Sequence, residues 1–234
     1  PVACTNIAVD ANVLAQRQLS LDDAFNGNGA YALDILAEPA AVLRTYPFVP
    51  DSDLYPGWRN SPVGLVIIAC YPTDAANTRA DYLLPDGTRI PRMQRGNQAP
   101  WLAAQACIAI FPMPEGCGKF PLVVFSHGLG SNPVDGKSID FLTRLASHGY
   151  IVAAPFHGDY RFSRLRLEDL TDVLYLVRNF DHVVETQAMR PFTLHATIDR
   201  MLGDAQFGPV IDANRIGGVG GSMGGAAFTW LAGA

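Results

Sequence analysis

The chain has 234 residues, 49% of them hydrophobic and 17% charged, with 22 Gly, 17 Pro and a formal net charge of −5. So much apolar sequence can build one sizeable core and speaks against a disordered chain; an acidic balance without a basic stripe speaks against nucleic acid as a partner. No apolar run approaches the roughly 20 residues of a membrane-spanning helix.

The chain opens on Pro1-Val-Ala-Cys4, without a methionine or a charged-then-apolar leader, as after removal of a signal peptide or after trimming. Cys4, Cys70, Cys107 and Cys117 allow three complete pairings. A bridge from Cys107 to Cys117 across the turn-rich residues between them is easy to close, and four unpaired thiols are the alternative. The expectation is an exported protein, secreted or periplasmic, with one or two disulfides. No Cys/His cluster has the spacing of a zinc site, and no metal is expected.

Residues 1–60 carry the weakest pattern. Short helical pieces are expected at 19–25 and 30–43, then a wandering connection through Pro47, Pro50, Pro56, Gly57 and Pro62. This part is read as an N-terminal extension packed on a main domain of residues 61–234. Val63–Tyr71 reads as a strand ended by Pro72. Residues 73–99 read as an exposed excursion with a strong turn at Pro85-Asp-Gly-Thr88, and 101–111 as a second opening strand.

Regular alternation begins at Lys119. The apolar run Leu122–Phe125, bounded by Pro121 and Gly128, suits a parallel strand covered on both faces and ending in His127-Gly128-Leu129-Gly130. Ile139, Leu142, Leu145 and Ala146 recur at helical spacing, and Gly149 is the stop. Ile151–Pro155 is the next strand. A second helical stripe runs through Leu170, Val173, Leu174, Val177 and Phe180, with Glu168, Asp169 and Asp172 near its start, where the helix dipole favours acids. Residues 194–202 continue helical, and Asp212-Ala-Asn214 turns into the strand that precedes Ser222. Strand, helix, strand, helix, strand is the signature of a parallel sheet with crossover helices.

The last strand runs into Gly220-Gly221-Ser222-Met223-Gly224, which fits the G-x-S-x-G pattern of a nucleophile elbow. A serine on a sharp strand-to-helix turn needs strained dihedrals, and neighbours without Cβ let strand and helix close together. Gly220 and Gly224 meet that demand. Strand-His-Gly-x-Gly followed by G-x-S-x-G is far more specific than either motif alone. Together with Phe-Pro-Leu-Val-Val-Phe-Ser-His-Gly, Ser-His-Gly-Tyr-Ile-Val and Arg-Ile-Gly-Gly-Val-Gly-Gly-Ser-Met-Gly-Gly, it resembles the α/β-hydrolase superfamily. The details are most similar to bacterial esterases related to platelet-activating-factor acetylhydrolase and dienelactone hydrolase, over residues 62–234.

The resemblance implies an α/β-hydrolase fold: a mostly parallel sheet opening on antiparallel strands, with helices on both faces. It implies a serine ester hydrolase in which Ser222 attacks an acyl carbonyl and the Leu129 and Met223 amides hold the oxyanion. His127, Gly128, Gly130, Gly220, Gly224 and His157 would shape the site. A small-molecule or lipid-like ester is the implied substrate, and no cofactor is needed. A polyester or cutin-like hydrolase is the alternative enzyme, and a catalytically silent hydrolase fold used for binding is the alternative of another class.

One departure is plain. Such a serine needs a histidine held by a carboxylate, and in the family both follow the serine. Residues 223–234 hold no Asp, Glu or His, and all five histidines precede Ser222. His127 sits at the oxyanion strand end, His148 at a helix end on the opposite edge, and His157 at the ligand-binding edge. His182 and His195 fall on the crossover helices as surface or packing residues, and Asp159 is a loop carboxylate with a solvated role. The expectation is therefore that strands beyond the elbow helix are missing here, and that a C-terminal segment or a second chain brings the Asp or Glu and the His.

Overall fold

The structure is a computed structural model that describes residues 1–7, 44–48, 61–83, 87–92, 102–103, 118–157, 169–178 and 180–233. Three strands lead into the sheet: β1 (Val2–Ile7), β2 (Arg44–Phe48) and β3 (Ser61–Pro72). Both β1 and β2 pair antiparallel with β3, and β3 pairs antiparallel with β7 (Ile151–His157). The other half of the sheet is parallel. β6 (Phe120–Ser126) lies between β7 and β8 (Ile211–Gly220), parallel to both. The resulting mixed sheet runs β1-β3-β7-β6-β8, with β2 also on β3. A small hairpin, β4 (Tyr82–Leu83) with β5 (Arg89–Ile90), forms a separate two-stranded sheet whose Ile90 joins the core beside β1.

Over β3, β6 and β7 both faces of the sheet are covered, so these strands alternate between two cores rather than between core and water. Ile68, Cys70, Val152, Ala154 and Phe156 face helix α1 (Gly136–Ser147) through Ile139, Leu142 and Ala146. Ile67, Ala69, Tyr71, Leu122, Val124, Ile151 and Ala153 face the opposite layer. There they meet Leu194, Ala196 and Met201 of a long helix, α3 (Phe180–Leu202), and Ala227 of α4 (Met223–Leu231). A shorter helix, α2 (Leu170–Arg178), precedes α3 and has it as principal neighbour. α1 starts at Asp135, whose carboxylate accepts the Ser138 amide at 2.8 Å, and stops at His148 before Gly149 at φ 90°.

Several expectations change here. β2 forms where a wandering connection was expected; Pro47 is compatible with it because an edge strand does not need every N–H. β1 is a full member of the sheet. The hairpin occupies part of the expected excursion, and not all of that stretch is exposed: Ile90 is fully buried, and the buried Asn77 side chain bonds Thr73 at 2.9 Å. α2 is helical as its spacing predicts, yet its apolar stripe faces outward, with Leu170 72% and Val177 67% exposed. Among the described residues, periodicity set the helix but gave its stripe no buried partner. The helical pieces at 19–25 and 30–43, most of the strand at 101–111, Glu168, Asp159 and the Cys107–Cys117 bridge lie outside the described residues. The disulfide that the structure does show joins Cys4 of β1 to Cys70 of β3, which stand opposite each other in the register. No helix among the described residues is long and apolar enough to cross a membrane.

Candidate active site

Chain order and strand order part company at β6. From β6 the chain crosses by α1 to β7 on one side; from β7 it returns by α2 and α3 to β8 on the other. Loops leaving neighbouring strands in opposite directions open a crevice at the carboxyl ends of a parallel sheet. Here those ends are level, because Ser126 pairs with Gly220. The two motifs of the sequence, His127-Gly128-Leu129-Gly130 and Gly220–Gly224, are thus brought side by side.

Ser222 is the N-cap of α4 with φ 53° and ψ −123°. Side chains with a Cβ rarely adopt that backbone, and among the described residues Arg92 alone shares a positive φ without being glycine. The strain is held by close packing. A Cβ on Gly220 would come within 2.6 Å of the Gly224 carbonyl carbon, and one on Gly224 would overlap the Ser126 carbonyl. Strand β8, helix α4 and the end of β6 therefore close on one another only because both positions are glycine. Ser222 itself is exposed.

The loop after β6 comes up against this turn. A Cβ on Gly128 would lie 3.6 Å from both the Ser222 Cβ and the Gly221 carbonyl oxygen. Gly130 takes φ 72°. The Leu129 and Met223 side chains pack together on Val183 of α3. As the first residue of α4, Met223 has an N–H with no acceptor in its own helix. The loop is anchored downstream at Asp135, which accepts bonds from the Ser131 hydroxyl and, at 3.3 Å, the Asn132 amide. Burial works against ionisation of that carboxyl, but the hydrogen bonds from Ser131, Ser138 and Asn132 outweigh it and hold its pKa below the usual value.

Both nearby histidines are buried, 5.0 Å apart between ring centres. The Thr193 hydroxyl donates to the Arg190 carbonyl at 2.9 Å, so it accepts from His157 Nδ1 at 2.6 Å. His157 Nε2 is left to accept from the Ser126 hydroxyl at 2.8 Å. Both its nitrogens are taken by these groups, and neither bonds Ser222. Burial first, then the Arg190 charge and the neighbouring His127, push its pKa well below the usual value. His127 Nδ1 lies 2.8 Å from the Gly128 carbonyl, and burial followed by the Arg190 charge lowers its pKa to about 3. His195 is on the surface, 3.9 Å from Asp199, as expected; the His182 side chain lies outside the described residues. Among the described residues no histidine or carboxylate is hydrogen-bonded to Ser222.

A family model described as platelet-activating factor acetylhydrolase, isoform II, matches residues 104–164. That span includes β6, the His127–Gly130 loop and β7. The chain resembles this family. The match stops short of Ser222. Among solved structures, a ferulic acid esterase from Streptomyces cinnamoneus is similar over 99% of this chain, with 19% identity and a TM-score of 0.47. The chain spans 55% of that structure's length. None of the curated proteins compared with the chain matches it.

Sequence reasoning missed the polar residues of α3 that reach the site. Gln187, Arg190 and Thr193 are all buried, and their signal was a polar series at helical spacing in a helix that otherwise packs on the sheet.

Proposed function

We propose that the chain carries the nucleophile of a serine ester hydrolase. Ser222 Oγ attacks the acyl carbonyl, the Leu129 and Met223 amides stabilise the oxyanion, the alcohol leaves, and water resolves the acyl-enzyme. His127, Gly128, Gly130, Gly220, Gly224 and His157 shape the site, with His157 bracing the end of β6. The observation that supports this reading most is the φ 53°, ψ −123° backbone of an exposed serine at the head of α4, against the Gly128–Leu129 loop. The substrate class is a small or lipid-like ester.

The base and its carboxylate come, in this reading, from a further C-terminal segment or a second chain. Two features support it. No described histidine or carboxylate reaches Ser222, and β8 is last in the order of the described strands, with Gly217 and Gly218 exposed. Trp230 and Leu231 of α4 are exposed at 48% and 37% beside it. Residues 61–234 then form most of one α/β-hydrolase domain, and 1–60 an extension that contributes β1 and β2. The Cys4–Cys70 disulfide supports a secreted or periplasmic location, where such a bond persists.

Labelling by a fluorophosphonate tests the nucleophile. The full-length protein is expected to take one label at Ser222, and Ser222→Ala to lose both label and hydrolysis of an activated ester. The loss should be at least about 10³-fold, since nucleophile removal costs orders of magnitude. A folded full-length protein that takes no label would favour the silent binding fold.

A further inference from the structure

Helix α3 touches both halves of the proposed oxyanion hole with one of its faces. Val183, Gln187 and Arg190 follow at i, i+4 and i+7, the spacing that aligns side chains on one side of a helix. Val183 is buried against Leu129 and Met223. The Gln187 amide donates to the Met223 carbonyl at 2.9 Å, and the Arg190 guanidinium donates to the His127 carbonyl.

Each grip is separated from a proposed donor by the torsions of a single residue. Between the gripped His127 carbonyl and the Leu129 N–H lie only the torsions of Gly128, which is free to turn unless something holds it. Between the Met223 N–H and the gripped Met223 carbonyl lie only that residue's own torsions. Neither gripping side chain is there for cheap stability. Gln187 is 8% and Arg190 2% exposed, and among the described residues Gln187 Oε1 and Arg190 Nε have no hydrogen-bond partner. Among the described residues no carboxylate pairs with Arg190, and a guanidinium buried in that way weakens a fold. Pro191, inside the helix, has no N–H for the Gln187 carbonyl four residues back, so the ladder is loosened at the grips themselves.

We infer that α3 is a clamp on the oxyanion hole. Gln187 and Arg190 are positioning residues that aim the Met223 and Leu129 amides, acting through the carbonyls of Met223 and His127. The inference rests on the reading of Ser222 and its oxyanion hole given above.

The test uses the full-length protein with Gln187→Met, Arg190→Met and Arg190→Lys, beside Ser222→Ala. Two quantities are read: kcat and KM on an activated short-chain ester, and the inhibition constant of a trifluoromethyl ketone that forms a hemiketal oxyanion on the serine. Gln187→Met is expected to lower kcat by about 10- to 100-fold, less than or up to the loss of one donor outright, with KM within about twofold. The ketone should weaken by the same factor as kcat/KM. Arg190→Lys, which can still donate to the His127 carbonyl, should recover part of what Arg190→Met loses. Should Arg190→Met not fold, Gln187→Met decides alone, since it removes one donor at nearly constant volume. Wild-type kcat and ketone affinity in folded Gln187→Met, with Ser222→Ala inactive, would overturn the clamp and leave the nucleophile standing. A lowered kcat with unchanged ketone affinity would also overturn it. Full activity in Ser222→Ala would instead remove the reading on which the clamp depends.

Discussion

Ser222 occupies a backbone region that its own side chain disfavours, and the residues around it show where that strain is resisted. The glycines at 220 and 224 let three segments touch, and buried polar side chains behind β6 fix the loop that faces the serine. His127 and His157 belong to that backing. Both are held neutral by burial, reinforced by Arg190. Their folded pKa values lie below the usual 6.5, so the unfolded chain binds more protons as pH falls beneath 6.5, and the stability they contribute above it is lost. For His127 the window runs from 6.5 down to about 3. Denaturant titrations between pH 7 and pH 4 should show stability falling with a slope of about 1.4 kcal/mol per pH unit for each such histidine. His157→Gln should flatten that slope by about one proton; an unchanged slope would mean that His157 already titrates normally.

Among the elements, α1 is the one whose sequence, cap and packing agree most closely. Its start also ties the site loop to the sheet, because Asp135 caps the helix and holds Ser131 and Asn132. Asp135→Ala should cost about 1 kcal/mol at neutral pH, the usual worth of an N-cap. The carboxyl's folded pKa is depressed, so this stabilisation is present above the ordinary Asp value and disappears as pH falls through the folded one. Urea unfolding of both proteins should give a gap at pH 7 that narrows below about pH 4. β6, β7 and α1 were readable because local pattern and burial coincide: strands covered on both faces are apolar runs, and one buried helix face is a stripe. β1 and β2 were not, since they are defined by pairing with the distant β3, which leaves no local period. The same split applies to the site. Ser222, Gly128 and Leu129 are marked by motifs, whereas Gln187 and Arg190 are polar, remote in sequence and recognisable only once α3 lies across both loops.

At the scale of the molecule, two ends of the sheet are finished differently. β8 stands at one end beside exposed apolar residues of α4, while the antiparallel end is fastened covalently. Cys4 and Cys70 are 66 residues apart in sequence, and a bridge closing a loop of that size is worth about 4 kcal/mol through the unfolded chain. Cys4→Ser/Cys70→Ser should lower stability in denaturant by roughly that amount, and reductant should weaken the wild type more than the double variant. A peptide map without reductant should recover the linked pair. The bond has a consequence for resistance to proteolysis. Any protease cut between residues 4 and 70 would leave both fragments joined, with β1 still hydrogen-bonded to β3 and unable to diffuse away. Such a nicked molecule would run as one band until reduced, and the crevice at the far end of β6 and β8 would keep its shape through the damage.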